Sequence, residues 1–180
     1  MFARTERLTL RPGWIEDAPA LHAAIGHEAV VRNLSRVPWP YTAADAEAFI
    51  AAWQGDPGPL FLIFAHDGGR CDLIGGVGIG PLGDQPHVMG YWLTPSAWGC
   101  GYAVEAGRAV LDIAATLRIE RVAAGHYVDN PASGAVLRRL GFVATGTRSA
   151  IHSRGRGVAV ETIDYAIDLT DRRHDRRRAA

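Results

Sequence analysis

Cysteine is scarce: Cys71 and Cys100 are the only two in 180 residues. So few, and so far apart in sequence, they exclude a disulfide framework and a zinc ribbon, and a reducing compartment is the simpler reading. Net charge is absent as well. Nineteen basic side chains balance nineteen acidic ones, so composition supplies no overall pull toward nucleic acid or acidic membranes. No stretch approaches the roughly 18 apolar residues of a membrane span. The opening MFARTERLTL carries three charges where the apolar core of a signal peptide would lie. The expectation is a cytoplasmic protein with no membrane partner. Two phosphate-loop patterns are missing too. No glycine-rich stretch ends in Gly-Lys-Ser/Thr, and GGVGIG at 75–80 leads into PLGDQP, where a dinucleotide-binding fold requires a helix.

What is present fits one domain over residues 1–170, followed by a basic tail, DRRHDRRRAA, at 171–180. Such a tail reads as a solvated, disordered end, and nucleic acid is not an expected partner. RTERLTLRP opens as a strand with Leu8 and Leu10 on one face, and Pro12-Gly13 ends it. IEDAPALHAAIG and YTAADAEAFIAAW have helical spacing; the second begins with Thr42 and Asp45 in a capping-box arrangement and is predicted to bury Ala46, Phe49, Ile50 and Trp53. LFLIFAH and DLIGGVGIG, split at Asp67-Gly68-Gly69, read as a hairpin, and HVMGYWLTP as a third strand. RVAAGHYVD, FVATGTR and ETIDYAIDL are further strands. A short helix in NPASGAVLRRLGF lies among them, with Asn130 as cap, Pro131 in first place and Gly141 at the stop. The order predicts a mixed α/β fold with an antiparallel beginning and one strand–helix–strand crossover.

The chemistry gathers around SAWGCGYAVEAG at 96–107. Ala103, Gly107, Val110, Ala114 and Leu117 recur every three or four residues, while Glu105, Arg108, Asp112 and Thr116 fall on the other side. An amphipathic helix therefore follows Gly99 and Gly101. Its N-terminus has unpartnered backbone N–H groups and about half a positive charge, which suits an anion. A glycine pair between strand and helix can also do no more than turn the chain, so this feature alone decides nothing.

TERLTLRP, PYTAADAEAFI, LIGGVGIG, GYWLTPSAWGCGYAVEA and NPASGAVLRRLGF occur together in the order and spacing of the GNAT acyl-CoA N-acyltransferases. The likeness runs from about Thr5 to Leu169 and is to the RimJ/RimL branch of ribosomal-protein N-terminal acetyltransferases. It implies a mostly antiparallel sheet of about six to seven strands, splayed at an acetyl-CoA site and flanked by about four helices. It also implies a pyrophosphate loop, Q/R-x-x-G-x-G/A, running through Trp98, Gly99, Cys100, Gly101, Tyr102, Ala103 and Val104. Gly101 and Ala103 match the last two fixed positions, and Trp98 stands where Gln or Arg is usual. By the same resemblance the strand ending Trp92, Leu93 and Thr94 offers backbone groups to pantetheine, with one N–H of Trp92 or Leu93 polarising the thioester carbonyl. Asn130 corresponds to an asparagine that binds pantetheine, although a plain helix cap accounts for it equally well.

Acyl transfer to an amine needs a neutral nucleophile, a polarised thioester and a proton for the departing thiolate. The family's usual tyrosine acid, seven residues after the asparagine, is here Leu137; the branch uses a serine three residues after it, which is Ser133. First-turn capping is the competing reading of Ser133. For the base, His87 and His126 lie on strands bordering the cleft, and His126 is preferred because it shares a strand side with Val122, Ala124 and Val128 just before Asn130. Glu105 is set aside as part of a solvated helix face with Arg108 and Asp112. Cys100 would lie at the phosphate end, away from the thioester, so direct transfer is expected without an acyl-enzyme, and no metal is expected. The acceptor is read as a protein N-terminal amine. The alternatives are a small amine (aminoglycoside, polyamine or amino acid) and a non-catalytic acyl-CoA sensor. A cationic antibiotic would need more acid than Asp45, Glu47, Asp84 and Asp129 supply. Family habit implies a homodimer.

Overall fold

The computed structural model describes residues 1–53, 58–67 and 69–170. The basic tail at 171–180 and the centre of the turn at 67–69 lie outside the described residues. The strands are β1 (Ala3–Arg4), β2 (Leu8–Arg11), β3 (Leu60–Asp67), β4 (Arg70–Leu82), β5 (Gln85–Leu93), β6 (Arg121–Tyr127), β7 (Val143–Ser153) and β8 (Val158–Asp168). They form one sheet in the order β1-β2-β3-β4-β5-β6-β8-β7. The α-helices are α1 (Ala18–Ile25), α2 (Glu28–Val31), α3 (Ala43–Trp53), α4 (Tyr102–Thr116) and α5 (Pro131–Leu140).

The uninterrupted apolar run of β3 reflects burial on both faces of the sheet. Strand alternation sends Phe61, Ile63 and Ala65 into one core with α4 and α5, and Leu62 and Phe64 into a second core with α1, α2 and α3. Leu8, Leu10, Leu111 and Leu137 are almost entirely enclosed in the first core, where trimming one leucine to alanine costs about 2–5 kcal/mol. Thr42 and Asp45 form the expected reciprocal cap of α3: Asp45 Oδ2 accepts from the Thr42 N–H at 2.9 Å, and the Asp45 N–H donates to Thr42 Oγ1 at 3.2 Å.

Eight strands and five α-helices among the described residues replace the six to seven and four expected. The additions are β1, of two residues, and α2, of four, each about one period long, too short for a repeat to show. Two apolar side chains depart from their predicted burial. Phe49 is 43% exposed because the buried stripe of α3 runs through Ala46, Ile50 and Trp53, leaving Phe49 on the flank against the edge of Trp53. Leu117 is equally exposed because α4 ends at Thr116.

The sheet has one weak seam. β5 and β6 are parallel neighbours that share a single register pair, Val88↔Ala123, whereas β6 pairs with β8 from Arg121↔Asp168 to Tyr127↔Thr162. Beyond Val88 and Ala123 the two strands diverge toward their C-terminal ends. The helices that follow those ends, α4 and α5, present their N-termini beside the opening. The crossover β5–α4–β6 thus brings the glycine turn, the end of β5 and the start of α5 to one cleft, with the strands splayed as expected.

Candidate active site

At one end of the cleft lies the glycine turn. Gly99 and Gly101 have φ of +76° and +82°, the left-handed region that favours glycine, and Gly101 is the N-cap of α4. The N–H groups of Val104 and Glu105 both bond the Gly101 carbonyl at 3.1 Å, so the Val104 amide is already engaged. Tyr102 and Ala103, first in the helix, have no intrahelical acceptor. Cys100 is exposed, with its thiol on the Trp98 carbonyl at 3.5 Å.

The turn is braced from the far end of the chain. Glu105 Oε1 accepts from the Thr5 hydroxyl at 2.6 Å and from the Arg7 N–H at 2.9 Å; Oε2 meets the Arg7 guanidinium at 2.7 and 2.8 Å. Arg7 also donates to the Cys100 carbonyl at 3.0 Å and lies over the Tyr102 ring at 4.6 Å. Glu105 is therefore no member of a solvated helix face. Its partners come from a turn 98 residues away, beyond the reach of any helical pairing rule. Burial pushes the Glu105 carboxyl up, but the Thr5 hydroxyl, the Arg7 N–H and the Arg7 guanidinium outweigh it and hold it below the usual range.

At the middle of the cleft the edge of β5 selects one amide. The Thr94 N–H donates to the Ile74 carbonyl at 2.8 Å, and Trp92 stands opposite Gly76 in the β4 ladder. Successive residues of a strand turn their polar groups to opposite sides, so Thr94 and Trp92 serve β4 while Leu93 faces the seam. The Leu93 carbonyl accepts the Trp98 indole N–H at 2.8 Å, which explains a tryptophan in the loop: its ring ties the turn to β5. Of the two candidate amides, Leu93 is the one facing the opening.

At the other end stands the first turn of α5. Asn130 caps it, with Oδ1 accepting from the Ser133 N–H at 3.3 Å. Ser133 caps nothing with its side chain. Its hydroxyl lies 2.6 Å from that of Tyr91, whose oxygen is also 2.9 Å from the Ser133 carbonyl. Burial pushes the Tyr91 phenol up to about 12, the Ser133 hydrogen bond offsetting it in part. Leu137 is 1% exposed in the core and carries no proton to give. His126 is buried beneath the same turn. Its Nδ1 lies 2.8 Å from the Tyr127 carbonyl, an acceptor only, so Nδ1 carries a hydrogen and donates it there. Nε2 occupies the space a side chain at Gly134 would fill, 2.5 Å from an ideal Cβ.

Beside Asn130, the Asp129 carboxylate accepts from Arg156 at 2.8 and 3.0 Å and from Arg32 at 3.2 Å. A pocket of about 380 Å³ opens there between Glu28, Arg32, Trp39, Gly155 and Arg156. Of the four acids counted for a cationic acceptor, Asp129 is thus neutralised and Asp45 is engaged in the cap of α3. A larger groove, about 1010 Å³, runs along the outer face of α4 and touches the glycine turn only at Gly101. It holds none of the hydroxyl groups of the seam. Among the described residues no three His, Cys, Asp or Glu side chains gather to hold a metal, and no helix is long and apolar enough to cross a membrane.

Residues 7–143 match the family described as the acetyltransferase (GNAT) domain. The chain belongs to the GNAT acetyltransferases. It is 28% identical over 150 residues to the uncharacterized N-acetyltransferase YoaA of Bacillus subtilis (strain 168), covering 79% of this chain and 82% of that one. Its fold is that of a GNAT-family acetyltransferase from Bacillus anthracis, with a TM-score of 0.77, 22% identity and coverage of 93% and 98%. The RimL ribosomal L7/L12 alpha-N-protein acetyltransferase shares it as well, with a TM-score of 0.76, 23% identity and coverage of 93% and 94%. This GNAT enzyme is an acetyl-CoA-dependent N-acetyltransferase. Two parts of its cleft carried no signal in the sequence beyond their residue types: the Tyr91 hydroxyl, contributed by a strand otherwise read for its backbone, and the Arg7–Glu105 brace.

Proposed function

We propose that this enzyme transfers the acetyl group of acetyl-CoA directly to a protein N-terminal amine. Bound acetyl-CoA would supply an activated thioester; the chain supplies what binds, polarises and protonates it. The Tyr102 and Ala103 amides, at the positive end of α4, receive the pyrophosphate. The Leu93 N–H polarises the thioester carbonyl where negative charge develops. Asn130 both caps α5 and turns its remaining amide donor to the pantetheine. Ser133 gives its hydroxyl proton to the departing sulfur, and the Nε2 lone pair of His126 accepts the amine's proton through water. His126→Gln should then slow transfer by about 10²–10⁴ with acetyl-CoA affinity kept, and an unchanged rate would reassign the base.

The observation that carries the acceptor class is the state of the acids. Polyamines and aminoglycosides bring several positive charges and are best held by unpaired carboxylates, whereas Asp129 is already bound by Arg32 and Arg156. A single amine that reacts in its neutral form makes no such demand, and RimL, which shares the fold, is named for an N-terminal protein acceptor. A screen of CoA release should show peptides with free N-termini exceeding polyamines, aminoglycosides and amino acids by at least about tenfold in kcat/KM. Preferred turnover of a polycation would overturn the acceptor reading. Cofactor binding with no turnover of any amine would favour a sensor.

A further inference from the structure

The hydroxyl contact across the seam has no structural necessity. The strand beside β5 at the seam is β6, and Asn130 already caps α5. Yet Tyr91 reaches from the diverging end of β5 to Ser133, with its oxygen 2.6 Å from Oγ and 2.9 Å from the carbonyl of the same residue. The carbonyl can only accept. With one phenolic proton for two acceptors, the pair has two arrangements: Tyr91 donates to the carbonyl and receives from Oγ, or Tyr91 donates to Oγ and leaves the serine proton free to point elsewhere. Only the second offers a proton to a sulfur in the cleft.

We propose that Tyr91 is a positioning residue for thiolate protonation, orienting the Ser133 hydroxyl toward the leaving sulfur and replacing its proton as that proton departs. This rests on the reading of Ser133 as the acid. As the carbon–sulfur bond breaks, its electron pair stays on sulfur. The Ser133 proton moves to sulfur, forming the thiol, and the Tyr91 proton moves to Oγ. The proton shed by the acceptor amine returns through solvent to the phenolate, so the net change is one proton from amine to thiol. A phenol pushed up to about 12 is protonated at every working pH, which keeps the pair loaded before each turnover. The position one full turn along α5 from Ser133 is the enclosed Leu137, which has no proton to give. The phenol comes from β5 instead.

The test compares wild type, Tyr91→Phe, Ser133→Ala and the double variant by single-turnover acetyl transfer, with acetyl-CoA affinity from calorimetry. Tyr91→Phe should slow transfer about tenfold and Ser133→Ala about tenfold to a hundredfold, with affinity changed less than about twofold. The double variant should be no slower than Ser133→Ala, because both changes disable one unit. Rates measured in mixtures of H₂O and D₂O should bow for wild type, as two protons move together, and lie on a straight line for Tyr91→Phe. A merely structural tyrosine would not move that curvature. Full rate in Tyr91→Phe with loss in Ser133→Ala overturns the relay and leaves the serine as acid. Full rate in Ser133→Ala removes the serine reading and the relay with it, and multiplicative losses in the double variant overturn the coupling. Should Tyr91→Phe fail to fold, a straight line for the wild type overturns the proposal by itself.

Discussion

The two ends of the cleft are held by different chemistry. At the glycine turn a carboxylate and a guanidinium, Glu105 and Arg7, fasten the start of α4 to the β1–β2 turn. At the start of α5 the Asp129–Arg156 and Asp129–Arg32 ion pairs stay on the outer flank, and the contacts on the seam itself are between two hydroxyls and within an amide cap. The difference follows from the surroundings of each end. The turn joins the positive end of a helix to charges that stay put, and Arg7 is 43% exposed, so water bears much of the cost of charging it. The hydroxyl pair at the start of α5 is uncharged at rest, and in so enclosed a place its hydrogen bond is stronger than in water.

The comparison breaks most severely at Gly101. Gly101→Glu forces a side chain onto φ +82° and puts a negative charge where the proposed function places the pyrophosphate, so acetyl-CoA affinity should fall by more than about a hundredfold in a folded protein. Undiminished affinity by calorimetry would remove the turn from the cofactor site. A smaller loss is expected from Glu105→Ala, which strips Thr5 and Arg7 of their shared partner. Discounted for the exposure of Arg7, the cost is about 1–2 kcal/mol, or roughly 3–6 °C in Tm for a chain of this size. Affinity for acetyl-CoA should weaken with it, unlike the response to Tyr91→Phe.

Acid pH acts on the brace more gently. The Glu105 carboxyl, depressed in the folded state relative to its ordinary 4.5, contributes stability that is present above that value and lost as pH falls through the lower folded value. Asp17 behaves in the same way: burial raises it, but Arg11 and the Trp14 N–H outweigh that effect. Urea midpoints measured from pH 7 to pH 3 should therefore decline less steeply in Glu105→Gln than in wild type. Parallel curves would show that the brace adds nothing. The smallest effect belongs to Cys100→Ala. The thiol lies at the binding end on the Trp98 carbonyl, so turnover should stay within about twofold, and a large loss with binding intact would contradict direct transfer.

The sequence by itself determined the elements and the loop chemistry, because those depend on neighbours a few residues apart. The cap at Thr42, the glycines before α4, the Asn130-Pro131 start and Gly141 stop of α5, and the alternation of β3 and β4 are all local consequences of φ, hydrogen bonding and periodicity. Where an element spanned only about one period, as in β1 and α2, no repeat announced it. Only the tertiary structure decided which groups meet across the cleft. It turned Leu93 and not Trp92 to the seam, joined Glu105 to a turn 98 residues earlier and set the Tyr91 phenol on Ser133, 42 residues later. Those contacts arise because one register pair joins β5 to β6 and the strands then part. A gap between strands is a property of two chain segments at once, and no local rule of propensity contains it.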